Sequence, residues 1–169
     1  MPPIVLNRPL FSRLRRNHAL EHATIHLLSA RYPWGTFIGR SDGQGFFLFG
    51  DVPGSAVRQA ALEALARLRA GEARLSIHPN CGTNLLTSGV LGASAAFAAL
   101  AGSTTSRSRF SRLPMAILLT ALALLVAQPL GIELQRSVTT QADPQGLRVA
   151  EVRTWQRGRT TLHRIRTTD

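Results

Sequence analysis

Four of the five histidines fall in two short boxes. The first is His18-Ala19-Leu20-Glu21-His22, with His26 one turn further on. On a helix, residues four apart stand about 40° from each other on one face, one turn apart. His18 and His22 therefore present two imidazoles to one point, and His26 extends the row. Two such nitrogens bind a zinc ion, and a neighbouring carboxylate polarises a bound water. Glu21, about 60° to the other side of His18, is the carboxylate in that position. The order H-x-x-E-H inverts the zinc-peptidase signature, and one helical geometry underlies both orders.

A zinc site needs a third protein ligand. The second box, His78-Pro79-Asn80-Cys81, offers His78 and Cys81, and the helix beyond residue 55 offers Glu63. His26 qualifies only if the helix tilts, because it lies two turns from His18. A packed face is the competing reading of the row. Leu14, Ile25 and Ser29 share it, opposite an apolar stripe of Leu20, Ala23 and Leu27. Partly buried histidines without a metal or hydrogen-bonding partners are costly, which favours the metal. A thiolate chemistry of Cys81 with His78, the imidazole oriented by Asn80 or Asn84, is a rival. A lone Cys in a turn is more often inert. Axial binding of a porphyrin through one His is a further alternative. Gly43-Gln44-Gly45 is too short for a phosphate loop and opens no helix.

The elements that carry these boxes are legible from pattern. Residues 12–31 predict a helix stopped by Pro33. Thr36–Arg40 and Gly45–Phe49 predict a hairpin about Asp42-Gly43. Pro53-Gly54 breaks the chain, and Gly54 or Ser55 is expected to cap a helix Ala56–Ala70 that Gly71 ends. Arg74–Ile77 predicts a third strand. Leu134–Thr140, Leu147–Trp155 and Arg159–Thr167 predict a small antiparallel meander, with turns at Asp143–Gly146 and Arg157-Gly158. Phe46, Phe47 and Phe49 read as core and edge packing, and Trp34 and Trp155 as interfacial anchors or core.

Between these parts lie two uncharged runs, Leu85–Ala101 and Leu113–Ile132. The second has the length that ~30 Å of hydrocarbon requires. The first carries Gly89/Ala93 and Gly92/Ala96, small-xxx-small pairs that let helices approach closely. Pro114 suits the first turn of the second helix. A ten-residue linker with Arg107, Arg109 and Arg112 makes a hairpin, so both flanking parts lie on one side. The larger arginine count on those flanks places them in the cytoplasm of a bacterial inner membrane. The opening MPPIVLNRPLF is too short in apolar residues for a cleavable signal.

Composition narrows the classes. The chain has 169 residues, enough for one domain plus spans. Hydrophobic residues at 44% exclude wholesale disorder, and a single cysteine excludes a disulfide scaffold. The net charge is +11 and every cationic side chain among the Lys and Arg is Arg. Beside two spans, that charge points to anionic headgroups. No nucleic-acid partner is expected, because aromatics are only 6% and no recognition motif appears.

The residues NHALEHATIHLL (17–28), GRSDGQGFFLFG (39–50) and EALARLRAGEARLSIHPNCGTN (63–84), with the hydrophobic pair beyond, resemble an uncharacterised bacterial membrane-protein family, a domain of unknown function. The resemblance covers about residues 15–135. A looser similarity, through His18, Glu21 and His22 alone, is to inverted zinc peptidases, whose downstream acidic ligand box is not identifiable here.

The expected fold class is an α+β head over residues 1–81, a two-helix transmembrane hairpin over 82–132 with spans at about 85–101 and 113–132, and a basic β meander over 133–169. The expected function is a zinc-dependent hydrolase, peptidase-like, at the membrane surface. His18 and His22 would bind zinc, Glu21 would activate water, and Glu63, His78 or Cys81 would be the third ligand. The alternative is a non-catalytic membrane protein that docks a partner or a second copy, or helps assemble a complex. Its histidines would be a structural metal site or a packing network.

Overall fold

The computed structural model describes residues 9–158 and 160–169. Of the opening segment read for a signal, MPPIVLNRPLF, residues 1–8 lie outside the described residues and 9–11 begin α1; Arg159 of the last predicted strand also lies outside them. The elements are α1 (Pro9–Arg31), β1 (Ile38–Asp42), β2 (Gly45–Phe49), α2 (Gly54–Arg69), a 3-10 turn (Ala73–Ser76), α3 (Gly82–Leu100), α4 (Ser106–Leu134), a π-helical turn (Gln135–Thr139), β3 (Arg148–Arg157) and β4 (Thr160–Thr168). They form two units. The head runs to His78 and resumes over Arg136–Asp169; Pro79–Gln135 is a helical pair.

In the head, one antiparallel sheet has the order β1-β2-β4-β3. The C-terminal strands are therefore not a separate meander. β4 pairs with β2, with Phe46 opposite Ile165 and Leu48 opposite His163. The reason is burial. Phe46, Leu48 and Ile165 alternate onto one face and are fully enclosed, which a two-stranded ribbon cannot achieve. α1 covers β1 and β2 on that face, and α2 covers β3 and β4. Leu20, Leu28, Val57, Ala60 and Leu65 complete the core.

Three local expectations are corrected. Arg74–Ile77 is not a strand: Ala73–Ser76 is a 3-10 turn. Gly71, at φ +90°, ends α2 and turns the chain back at once. The carbonyls of Ser76 and Ile77 then accept from histidines rather than from a strand. Leu134–Thr140 is not a strand either, because α4 runs to Leu134 and continues as the π-helical turn. Its apolar periodicity is carried on from the long helix. Finally, α2 starts at Gly54 behind Pro53, and neither Gly54 nor Ser55 supplies a side-chain cap.

α1 is buried on nearly all sides from Arg16 to Leu28, with only His18 and His26 partly exposed. It is also polar, so its side chains need partners. Asn17 Nδ2 donates to Asp42 O at 2.8 Å, and Asn17 Oδ1 accepts from Thr167 Oγ1 at 2.7 Å. Arg15 Nη2 donates to Thr140 O at 2.9 Å, and Arg16 pairs with Asp169 at 3.0 Å. The helix is thereby bonded to the hairpin and to β4.

In the helical pair, α3 and α4 are both long and apolar enough to cross a membrane. The 19 residues of α3 span roughly 28 Å, close to a hydrocarbon thickness. Leu86, Val90, Phe97, Ile117, Leu125 and Val126 stand exposed along them. Gly92 packs against Thr120 and Leu124, whereas Gly89 opens to space, so one of the two small-residue pairs faces the other helix. α4 begins at Ser106, capped by Thr105, which places Pro114 beyond the first turn expected for it. Arg107, Arg109 and Arg112 lie on this helical extension, and Arg112 Nη1 donates to Ala101 O at the end of α3.

Candidate metal centre

The histidine row is set by α1 and by the chain after α2. His18 and His22 stack edge to face with ring centroids 4.3 Å apart. His78 comes to 5.8 Å from His22 and 4.9 Å from His26. The head thus brings four imidazoles together from its two histidine boxes.

The ring tautomers follow from the carbonyls they meet. A carbonyl only accepts, so a ring nitrogen bonded to one carries the proton. His18 Nδ1 donates to Thr139 O at 3.0 Å, and His22 Nδ1 donates to Ser76 O at 2.7 Å. In both rings the lone pair is then on Nε2. This is the outer-shell arrangement that orients metal-ligating histidines and raises their basicity. His26 is reversed: its Nε2 donates to Ile77 O at 2.7 Å, which leaves the lone pair on Nδ1.

Burial, and then the charges of His26 and His22, push the His78 imidazole down to about 4. It is neutral at pH 7, the state in which an imidazole binds a metal. Burial also raises the Glu21 carboxyl, against the lowering effects of the Ser41 hydroxyl and of His18. Ser41 Oγ donates to Glu21 Oε2. The carboxyl lies over Gly39 of β1, where a Cβ would overlap it. Gly39 and Ser41 were missed in the sequence as functional partners. The GRSDG stretch marked only a turn, and which strand residues face α1 depends on register.

Glu63 is not brought to the row. Its carboxylate pairs with Arg31 and with Arg67, one turn along α2, at 2.8 Å. Arg31 is nine residues past His22, roughly 13 Å along the helix axis. The outer, partly exposed face of α2 explains this, since a carboxylate there is satisfied by surface arginines. Cys81 is the N-cap of α3 in the helical pair, where its Sγ accepts from Thr83 N at 3.5 Å. Asn84 does not orient an imidazole. Its Nδ2 donates to Pro79 O, and its Oδ1 accepts from Gln135 Nε2, each at 2.7 Å.

A family profile described as Domain of unknown function (DUF6391) matches residues 13–152. An uncharacterized protein of Picosynechococcus sp. is 44% identical over 96 residues, which is 48% of this chain and 47% of the relative. The chain thus spans about half the length of that curated relative. No solved structure matches. The profile takes in both histidine boxes, the helical pair and the start of β3, and the chain belongs to this family, a domain of unknown function.

Proposed function

We propose that the head is a zinc-binding module of a membrane protein, with His18 and His22 as two ligands. The observation that carries this reading is that both rings give Nδ1–H to main-chain carbonyls and so hold the lone pair on Nε2, one helical turn apart. The third donor comes from the turn His78–Cys81. His78 is held neutral beside His22. Cys81 follows it by three residues, at most about 11 Å of chain. Glu63 is engaged elsewhere and is set aside.

A catalytic role follows from Glu21 if the metal keeps an open position. Burial raises the Glu21 carboxyl toward the range in which a carboxyl exchanges protons with a bound water, and His18 stands beside it. A bound zinc would supply Lewis acidity and a water of lowered pKa. The substrate would be a peptide or another hydrolysable group at the membrane surface. In the second reading the site is structural and the protein docks a membrane partner, a second copy or a complex. The Ser41–Glu21 bond favours that reading, because it ties the carboxyl to β1. The helical pair supports residence in a membrane, with both flanking parts on the cytoplasmic side of a bacterial inner membrane.

Metal content of detergent-purified protein tests the centre. We expect about one zinc per chain, lost in His18→Ala and His22→Ala and retained in Glu63→Gln. Cobalt replacement identifies the third donor, because a thiolate gives an intense near-ultraviolet charge-transfer band. Loss of that band in Cys81→Ser assigns the thiol. Absence of the band, with metal lost in His78→Ala, assigns the imidazole. Metal-free protein from chelator-free buffers would overturn the centre. Glu21→Gln then separates the roles: the hydrolase reading expects loss of hydrolysis with zinc retained, and the structural reading expects no change in partner docking.

A further inference from the structure

The helices cover one face of the head sheet, and alternate strand residues form the other. Register places Ile38, Phe49, Leu162 and Trp155 in one row across all four strands of that open face. Ile38 is 62% exposed and Trp155 45%. Trp34, 99% exposed, lines an open groove of about 730 Å³ together with Ile38 and Phe49. The neighbouring row is Arg40, Phe47, Arg164 and Arg153, and Arg166 follows on the same face. Two carboxylates, Asp42 and Glu151, accompany these four arginines, paired with Arg164 and Arg153. An apolar row with Trp155 at its β3 end and Ile38 at its β1 end, beside an arginine row, remains uncovered in the head.

We propose that this open face docks on the headgroup region of an anionic phospholipid bilayer. Trp34, Ile38 and Trp155 enter the interface, and Arg40, Arg153 and Arg166 meet lipid phosphates. Tryptophan rings partition to the level of headgroups, and arginine binds phosphate through its planar fork. Three observations favour a bilayer over other occupants. A second copy would bring another +11 chain against a cationic face. An RNA platform needs open rings for base stacking. Here the ring at the middle of the arginine row, Phe47, is covered by Arg164 at 4.3 Å, and Ile38 and Leu162 are aliphatic, so the exposed rings of Trp34 and Trp155 have no open ring between them on which successive bases would stack. The head also joins the apolar helical pair directly at His78–Pro79 and at Gln135–Arg136, with no linker segment. The inference rests on the membrane reading of that pair.

The two tryptophans of the chain are Trp155, in this face, and Trp34, in the groove that Ile38 and Phe49 also line, so fluorescence reports on these two positions alone. The full chain is placed in nanodiscs of phosphatidylglycerol or phosphatidylcholine, each with and without brominated acyl chains. Trp34→Phe and Trp155→Phe provide single-tryptophan forms. In brominated phosphatidylglycerol each form is expected to be quenched about twofold, with much less quenching in phosphatidylcholine or at high salt. Arg40→Glu with Arg166→Glu is expected to weaken docking at least about fivefold per arginine. Equal emission with and without bromine in both lipids would overturn the proposal. So would a tryptophan response to an added uridine oligomer, or to protein concentration, in place of lipid. Extraction of the protein from membranes by alkaline carbonate would instead fail the membrane reading itself. Retention with unquenched tryptophans fails only the docking.

Discussion

Asn17 shows how a polar side chain earns a place inside the head. It is fully buried, and its amide joins α1 to the hairpin through Asp42 and to β4 through Thr167. Asn17→Ala leaves both partners unmatched, which costs roughly 2 kcal/mol or more, and a thermal melt should show the lower midpoint. Glu21 and Gly39 make a second pair. A methyl on Gly39 overlaps the Glu21 carboxyl. Gly39→Ala alone is expected to destabilise, and Glu21→Ala in the same chain to recover part of the loss, a coupling read from a double-mutant cycle. His163 carries a pH dependence. Its Nε2 donates to Gly50 O at 3.1 Å, and burial lowers its pKa from the ordinary value. With the folded pKa below the unfolded one, its contribution is full above about 6.5 and is lost as pH falls. The melt of metal-free protein should drop from pH 7 to 5, less steeply in His163→Gln. At this scale the sequence set His18, His22 and His26 in one row on α1, because i, i+4 spacing on a helix is a local property. It could not mark Glu63 as engaged by Arg31 or Asn84 as bonded to Gln135, because both partners are distant in sequence.

Elements were legible where one local rule decided them. The β1–β2 hairpin was readable from Asp42, whose side chain accepts from Gln44 N at 2.7 Å in the turn. Both long apolar helices were readable from uncharged runs. The stretch 73–77 was not, because its apolar and β-prone residues suit a strand equally well. Its geometry is decided by Gly71 and by two histidines that claim its carbonyls. Gly71 has φ +90° and open space around it, so Gly71→Ala isolates the backbone cost, about 1 kcal/mol. Gly43, also in open space but outside the positive-φ set, should accept alanine with a change within about 0.5 kcal/mol. The two melts compared check this.

For the whole molecule, the decisive fact is that β4 lies between β2 and β3. Ending the chain before Thr160 removes the strand that joins the two halves of the sheet. The β1–β2 hairpin left behind falls below the three strands that independent stability needs. Such a truncation is expected to abolish cooperative unfolding of the head while the helical signal of α3 and α4 persists in circular dichroism. Sequence pattern suggested these strands but not their destination, since pairing between residues more than a hundred apart has no local signature.

This arrangement has a consequence for how the protein is made. The hairpin emerges early, yet the strand that must cover its inner edge is translated only after both apolar helices. At about 5–20 residues per second, the roughly 110 residues between β2 and β4 take on the order of ten seconds. During that interval Phe46 and Leu48 await their neighbours across the sheet. Synthesis of both apolar helices thus precedes completion of the head sheet, whereas the carbonyls that meet the imidazoles of α1, at Ser76, Ile77 and Thr139, are in place before the C-terminal strands are made.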